Sequence, residues 1–168
     1  VLRGSPVIYY GDEQGFVGDG NDQAAREDMF ESLTASYNDN NLIGTDATTA
    51  QVNFDMSHPL YVLIAELAEL RAEHAALRRG SQVVRSYDET GPGLLSFSRF
   101  DPQTGDEYQL AFNTSDQPLK ARSAIGYSAQ QIEPLHGACP TNLAAPGAIA
   151  LDLPAFGWCI MRASVGAN

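Results

Sequence analysis

Asp22 and Arg26 stand four residues apart in the segment GDGNDQAAREDMF, residues 18–30. A short helix over residues 22–33 would project both to one side. A carboxylate beside a guanidinium can hold sugar hydroxyls through paired hydrogen bonds, and can equally be an exposed ion pair of little energetic weight. Asp12 and Glu13 are adjacent carboxylates just after an apolar run. The loop GDGNDQ is rich in oxygen donors but lacks the glycine and terminal glutamate spacing of an EF-hand, so a solvated turn is expected. Cys139 and Cys159 are the only cysteines, a count compatible with one disulfide or with two buried thiols. His58, His74 and His136 are too dispersed for a zinc site. Neither a Gly-x-Ser-x-Gly elbow nor a phosphate-cradling Gly-Lys-Ser/Thr loop occurs. The residues call for no metal and no cofactor.

The elements that must position these side chains belong to a chain of 168 residues, 43% hydrophobic, enough for one domain or one domain with part of another. Ten basic residues against twenty-one acidic ones give a formal charge of -11. That balance repels phosphate backbones and argues against nucleic acid as a partner, while neutral polymers such as polysaccharides remain compatible. No apolar run approaches the ~20 residues that span a bilayer, so no membrane partner is expected. The opening Val1-Leu2-Arg3-Gly4 has no initiator Met and no parts of a signal peptide, and carries no information on compartment. A disulfide, if formed, would favour a periplasmic or secreted protein.

Residues 6–10, Pro-Val-Ile-Tyr-Tyr, form a short continuous apolar run between Gly4 and Gly11, the pattern of a strand buried on both faces of a parallel sheet. Tyr9 and Tyr10 are then mostly core. Residues 11–57 are polar, and a connection that long is functional or disordered. In SHPLYVLIAELAELRAEHAALRRG (57–80), Leu60, Leu63, Ile64, Leu67, Leu70 and Leu77 make one stripe at helical spacing. Ser57 is the expected N-cap, Pro59 suits the first turn, and Gly80 after Arg78-Arg79 is the stop. His74 lies at the edge of that stripe, a packed histidine rather than a ligand. From Gln82 the texture is β, with strands expected at 94–100, 107–113, 120–125, 130–135, 149–153 and 158–163. In the second, Tyr108, Leu110 and Phe112 alternate with Gln109, Ala111 and Asn113, which predicts one buried and one wet face. Short strands with regular turns read as an antiparallel sandwich. The fold expected is therefore α+β: one β/α unit of a larger body over residues 1–80, then an all-β domain over 81–168.

This layout resembles the C-terminal part of the α-amylase superfamily, glycoside hydrolase family 13. RGSPVIYYGDEQG is similar to that family's eighth barrel strand, commonly Gly-x-Pro-x-Ile-Tyr-Tyr-Gly-x-Glu. GDGNDQAAREDMF resembles the segment that follows it, HPLYVLIAELAELRAEHAALRRG the last barrel helix, and GLLSFSRF with YQLAFNTS the C-terminal β domain. The resemblance implies the last β/α unit of a (β/α)8 barrel followed by an antiparallel β-sandwich, with catalytic groups at the C-terminal ends of the barrel strands. The family's three catalytic carboxylates belong to strands four, five and seven, and no matching motif occurs in this sequence, so no catalytic residue is assigned. The chain is then the C-terminal part of a retaining α-glucan-active hydrolase, inactive alone, whose partners are the remainder of the barrel and an α-glucan or maltooligosaccharide.

In cyclomaltodextrinase-like members a similarly spaced Asp and Arg bind glucose units, and the resemblance carries that role to Asp22 and Arg26. Glu13 matches the family's glutamate. It either steadies the loops that shape the pocket or is a hydrogen-bonded structural carboxylate, and Asp12, at a position that varies, has the weaker case. Two other readings stand beside this one. The β domain could be a non-catalytic carbohydrate-binding module, which needs two or more of Tyr87, Tyr108, Tyr127 and Trp158 on one face, or a stacking platform of Trp158 and Phe156. The enzyme could instead be a transglycosylase or isomerase of the same superfamily.

Overall fold

The computed structural model describes residues 1–164, which divide into two compact units: residues 4–69 form one, and residues 1–3 with residues 70–164 form the other. The division falls inside a helix.

The second unit holds seven strands, β1 (Ser81–Ser86), β2 (Leu94–Phe100), β3 (Glu107–Asn113), β4 (Leu119–Ala124), β5 (Gln131–Gly137), β6 (Ala148–Leu153) and β7 (Trp158–Ser164). β1, β2, β3, β7 and β5 lie in that order in one antiparallel sheet, and β4 pairs with β6 in another. β2 and β3 coincide with the strands expected from the sequence, and the other four expected strands lie within two residues of their predicted ends. Ala111, Cys159 and Met161 from the larger sheet meet Ile149, Leu151 and Leu153 from the smaller, which makes the antiparallel β-sandwich core. The edge strand β5 tolerates Pro134, which has no N–H for a ladder, because the pairing with β7 is bulged between Pro134 and His136.

The alternation expected in β3 fails on its wet side. Gln109 is 0% exposed, and Glu107 and Asn113 are buried as well. β3 is a central strand, and both of its faces are covered: one by the β4–β6 pair, the other by a short helix. The polar side chains are buried with partners, as burial requires. Gln109 donates to Ser123 Oγ at 2.6 Å, and Glu107 accepts from the Gly126 N–H at 2.6 Å and from Arg85 at 2.8 Å. Asn113 donates to the carbonyls of Gln117 and Pro154. Tyr108, on the opposite face, is buried, and desolvation holds its phenol above the usual value.

The helix expected over 57–80 is two helices, α1 (Pro59–Glu73) and α2 (Ala75–Arg79). They break at His74, whose backbone is extended (φ -104°, ψ 106°). Its Nδ1 lies 3.1 Å from the Tyr108 hydroxyl, so a tertiary contact with β3 holds the residue that leaves the helix. Pro59 is the first helical residue as expected, but the cap is His58 rather than Ser57. His58 Nδ1 accepts the Leu60 N–H at 3.2 Å, while Ser57 donates through its N–H and its hydroxyl to the Asp55 carboxylate. A nearer acceptor has drawn Ser57 away. Gly80 ends α2, and a Cβ there would lie 2.5 Å from both the Ala76 and Phe100 carbonyl oxygens.

In the unit of residues 4–69 two expectations are corrected. Residues 5–10 are not a buried strand: no strand among the described residues pairs with them, Val7 is 85% exposed, and Ile8, Tyr9 and Tyr10 are exposed too. A parallel strand needs a neighbour on each edge to satisfy its backbone, and none is in place. Nor does a helix form over 22–33. Asn21 Oδ1 takes the Gln23 and Ala24 N–H groups and starts a single turn, after which the Ser32 N–H bonds the Thr49 carbonyl across the loop. The long polar connection is instead ordered by buried polar side chains, namely Gln14, Glu27, Ser32, Thr49, Asn53 and His58.

Candidate functional site

The segment Tyr9–Gln14 turns sharply around a single 3-10 turn, Asp12–Gln14, entered and left through left-handed Gly11 and Gly15. Asp12 Oδ2 accepts the Tyr9 N–H at 2.9 Å, and Glu13 Oε2 accepts the Gly11 N–H at 3.1 Å. Both carboxylates thus bind the backbone of the turn they sit in. The anchor that sequence reasoning missed is Gln14. Its amide donates to the Asp55 carbonyl and accepts the Asp55 N–H, each at 3.0 Å, which fastens the turn to residue 55. An apparently ordinary glutamine in a polar loop gave no signal in the sequence. Beside this turn an open hollow of about 450 Å³ is lined by Tyr9, Tyr10, Glu13, Tyr61 and Ile64. The Tyr9 and Tyr10 rings are 4.5 Å apart. The Tyr9 side chain, by its hydrogen bond, raises the Tyr10 phenol above its ordinary value, and Asp28 adds to the effect while Arg26 opposes it.

Asp22 and Arg26 are brought together. Arg26 Nη2 lies 3.1 Å from Asp22 Oδ2, and Arg26 Nε donates to the Asp22 carbonyl at 2.9 Å. The Asn21 turn sets this spacing without a helix, because Ala25 N–H bonds the Asn21 carbonyl and Arg26 N–H that of Gln23. Both side chains are exposed, with carboxylate and guanidinium edges free to accept from and donate to a polyol. Asp22 also borders a shallow hollow with Gly18, Asp19 and Asn21. In that stretch Asp19 is tied to Asn40, whose side-chain amide donates to it at 3.2 Å.

Cys139 and Cys159 form a disulfide, Cα–Cα 4.9 Å, between the segment just after β5 and β7. Trp158 donates its indole N–H to His136 at 2.9 Å and the two rings stack. Tyr108 is buried, so of the four aromatic residues considered for a platform on the β domain Tyr87 and Tyr127 are the exposed ones. Phe156 is exposed at a positive φ of 53°.

No protein-family model matches the chain. It is 43% identical over 165 residues to an α-amylase of Streptomyces lividans, a match covering 98% of this chain and 18% of that protein. It is 35% identical over 113 residues to a β/α-amylase of Paenibacillus polymyxa, covering 67% of this chain and 7% of that protein. The chain thus spans less than a fifth of the length of either relative. Among solved structures, an α-amylase from H. orenii superposes with a TM-score of 0.65 at 18% identity, over 97% of this chain and 33% of that one, a likeness of fold. The sheet-rich unit accordingly has the form of the C-terminal β-sandwich of amylase-like enzymes. The chain belongs to the α-amylase family, as a C-terminal part of such a protein.

Proposed function

We propose that residues 1–80 are the end of the catalytic barrel and residues 81–168 the C-terminal β domain of a retaining α-glucan-active glycoside hydrolase. Residues 5–10 would be the eighth barrel strand, completed by the remainder of the barrel. The catalytic carboxylates lie elsewhere in the complete protein, and this chain contributes scaffold and sugar contacts. The observation that carries the reading is the 43% identity to an α-amylase across 98% of the chain. Retention requires two carboxyl groups about 5–5.5 Å apart, and no pair in this chain is assigned to that work. Asp22 and Arg26 hold a glucose unit of the bound chain, because their geometry offers acceptor and donor edges on one exposed surface.

The test is steady-state cleavage of maltooligosaccharides by the complete protein and by its D22A and R26A variants. Loss of a charged hydrogen-bond partner lowers kcat/KM about tenfold or more. Folding stability stays within about 1 kcal/mol, since the pair is an exposed one. Unchanged kinetics in both variants would leave Asp22 and Arg26 as a surface ion pair. Product analysis on the same samples separates hydrolysis from transglycosylation or isomerisation.

A further inference from the structure

The reading above leaves unused the exposed aromatic pair of residues 4–69. Phe30 and Phe54 are 69% and 54% exposed, with ring centroids 5.2 Å apart and planes inclined at 61°. They are not the loose tips of a mobile loop. The Asn53 N–H bonds the Met29 carbonyl at 2.8 Å, and the Ser32 N–H bonds the Thr49 carbonyl at 2.9 Å, so the strands of chain just before Phe54 and on both sides of Phe30 are pinned together. Asn53 further donates to the Gln51 and Thr48 carbonyls. Ser32, Thr49 and Asn53 are buried while the two phenylalanines point to solvent. That inverts the usual order, in which apolar rings fill the interior and amides face water. In this chain the buried hydrogen bonds of the loop hold two rings facing outward.

The chemistry around the rings selects the occupant. Asp28 and Glu31 flank Phe30 and are exposed. With a formal charge of -11 on the chain, an anionic lipid or a nucleic acid is repelled. A pyranose offers apolar C–H faces for the rings and hydroxyls for the carboxylate rim. Arg26 lies four residues before Phe30, at most about 14 Å along an extended chain, within the span of a short oligosaccharide. We propose that Phe30 and Phe54 form a stacking platform for a glucosyl residue beyond the Asp22–Arg26 pair, and that this platform sets the preference for longer α-glucans. The inference rests on the α-glucan reading of that pair.

The experiment is calorimetric titration of the complete protein with S-linked maltoheptaose and S-linked maltotriose, which glycosidases do not cleave. It compares wild type with F30A, F54A and F30W, alongside thermal melting of each. The platform predicts about tenfold weaker maltoheptaose binding in F30A and F54A, less than about twofold change for maltotriose, recovery in F30W, and unchanged melting. Equal weakening for both sugars, or none for either, overturns it. So does an alanine variant that binds sugar normally but changes oligomeric state, which would make the pair a protein interface. A wild type that binds neither sugar overturns the α-glucan reading together with the platform. Binding without cleavage of ordinary maltoheptaose removes the hydrolase and leaves the platform standing.

Discussion

Glu27 is 1% exposed, in a segment whose other buried polar side chains are amides, hydroxyls and an imidazole. Neither of its oxygens meets a hydrogen-bond partner of good geometry. Desolvation is the main force lifting its carboxyl above the usual range; the nearby Gly18 N–H offsets part of it, and Asp19 and Asp39 add to it. A raised native value means that the proton is held more tightly folded than unfolded. Stability is therefore fullest below the ordinary glutamate value of about 4.3, and falls as pH rises from there through the native value. E27Q, which cannot ionise, should match wild type near pH 4 and exceed it by about 1 kcal/mol or more at pH 8. Chemical unfolding of the two proteins at both pH values checks this, and equal stability at pH 8 would show the carboxylate to be solvated or paired. At this scale the sequence was uneven in what it disclosed. The Asp22–Arg26 spacing was legible because four-residue separation acts locally, and it survives without the helix that was expected to create it. Gln14, Glu27 and the Phe30–Phe54 pair were not legible, since their roles depend on contacts with residues 55, 18 and 53, which no local pattern encodes.

The elements of the β unit were the most legible, and the reason is visible in β2 and β3. A run of alternating β-formers between turn signals fixes where a strand lies, whatever it packs against. The sides of β3 were not legible. Alternation predicts one wet face only while one face remains uncovered, and the β4–β6 pair covers it. The His74 break shows the same limit, because a helical stripe cannot announce a tertiary contact with Tyr108. α2 survives that break because it packs on β2 and β3, burying Leu77 completely. L77A should accordingly cost about 2–5 kcal/mol in unfolding of the β unit. V83A, on exposed edge strand β1, should stay within about 0.5 kcal/mol of wild type. Denaturant titrations of both variants decide it. A small loss in L77A would mean that α2 adds little to the core.

At the scale of the whole molecule, composition and realised structure diverge over residues 5–10. A segment's composition reflects the surroundings it is suited to, whereas its hydrogen bonds need partners far away in sequence. Ser5–Tyr10 carries the composition of a central parallel strand, yet Val7, Ile8, Tyr9 and Tyr10 are exposed. The helix stripe that would cover one of its faces is likewise only half-buried from Leu60 to Leu67. Unpaired, such a segment offers two open edges to any other chain. If it is the eighth strand of a barrel, the amides of Val7, Ile8 and Tyr10 exchange freely in this chain alone, the Tyr9 N–H being held by Asp12, and are locked once the preceding strands are joined to them. Hydrogen exchange should show Val7, Ile8 and Tyr10 near the unprotected rate in the 168-residue chain and slowed roughly a thousandfold or more in the complete protein. β3, paired on both sides by β2 and β7, should be protected in either, and serves as the internal standard. Strong protection of Val7, Ile8 and Tyr10 in the isolated monomer would show that the segment finds its partners within this chain, and the barrel reading of residues 1–80 would fall with it.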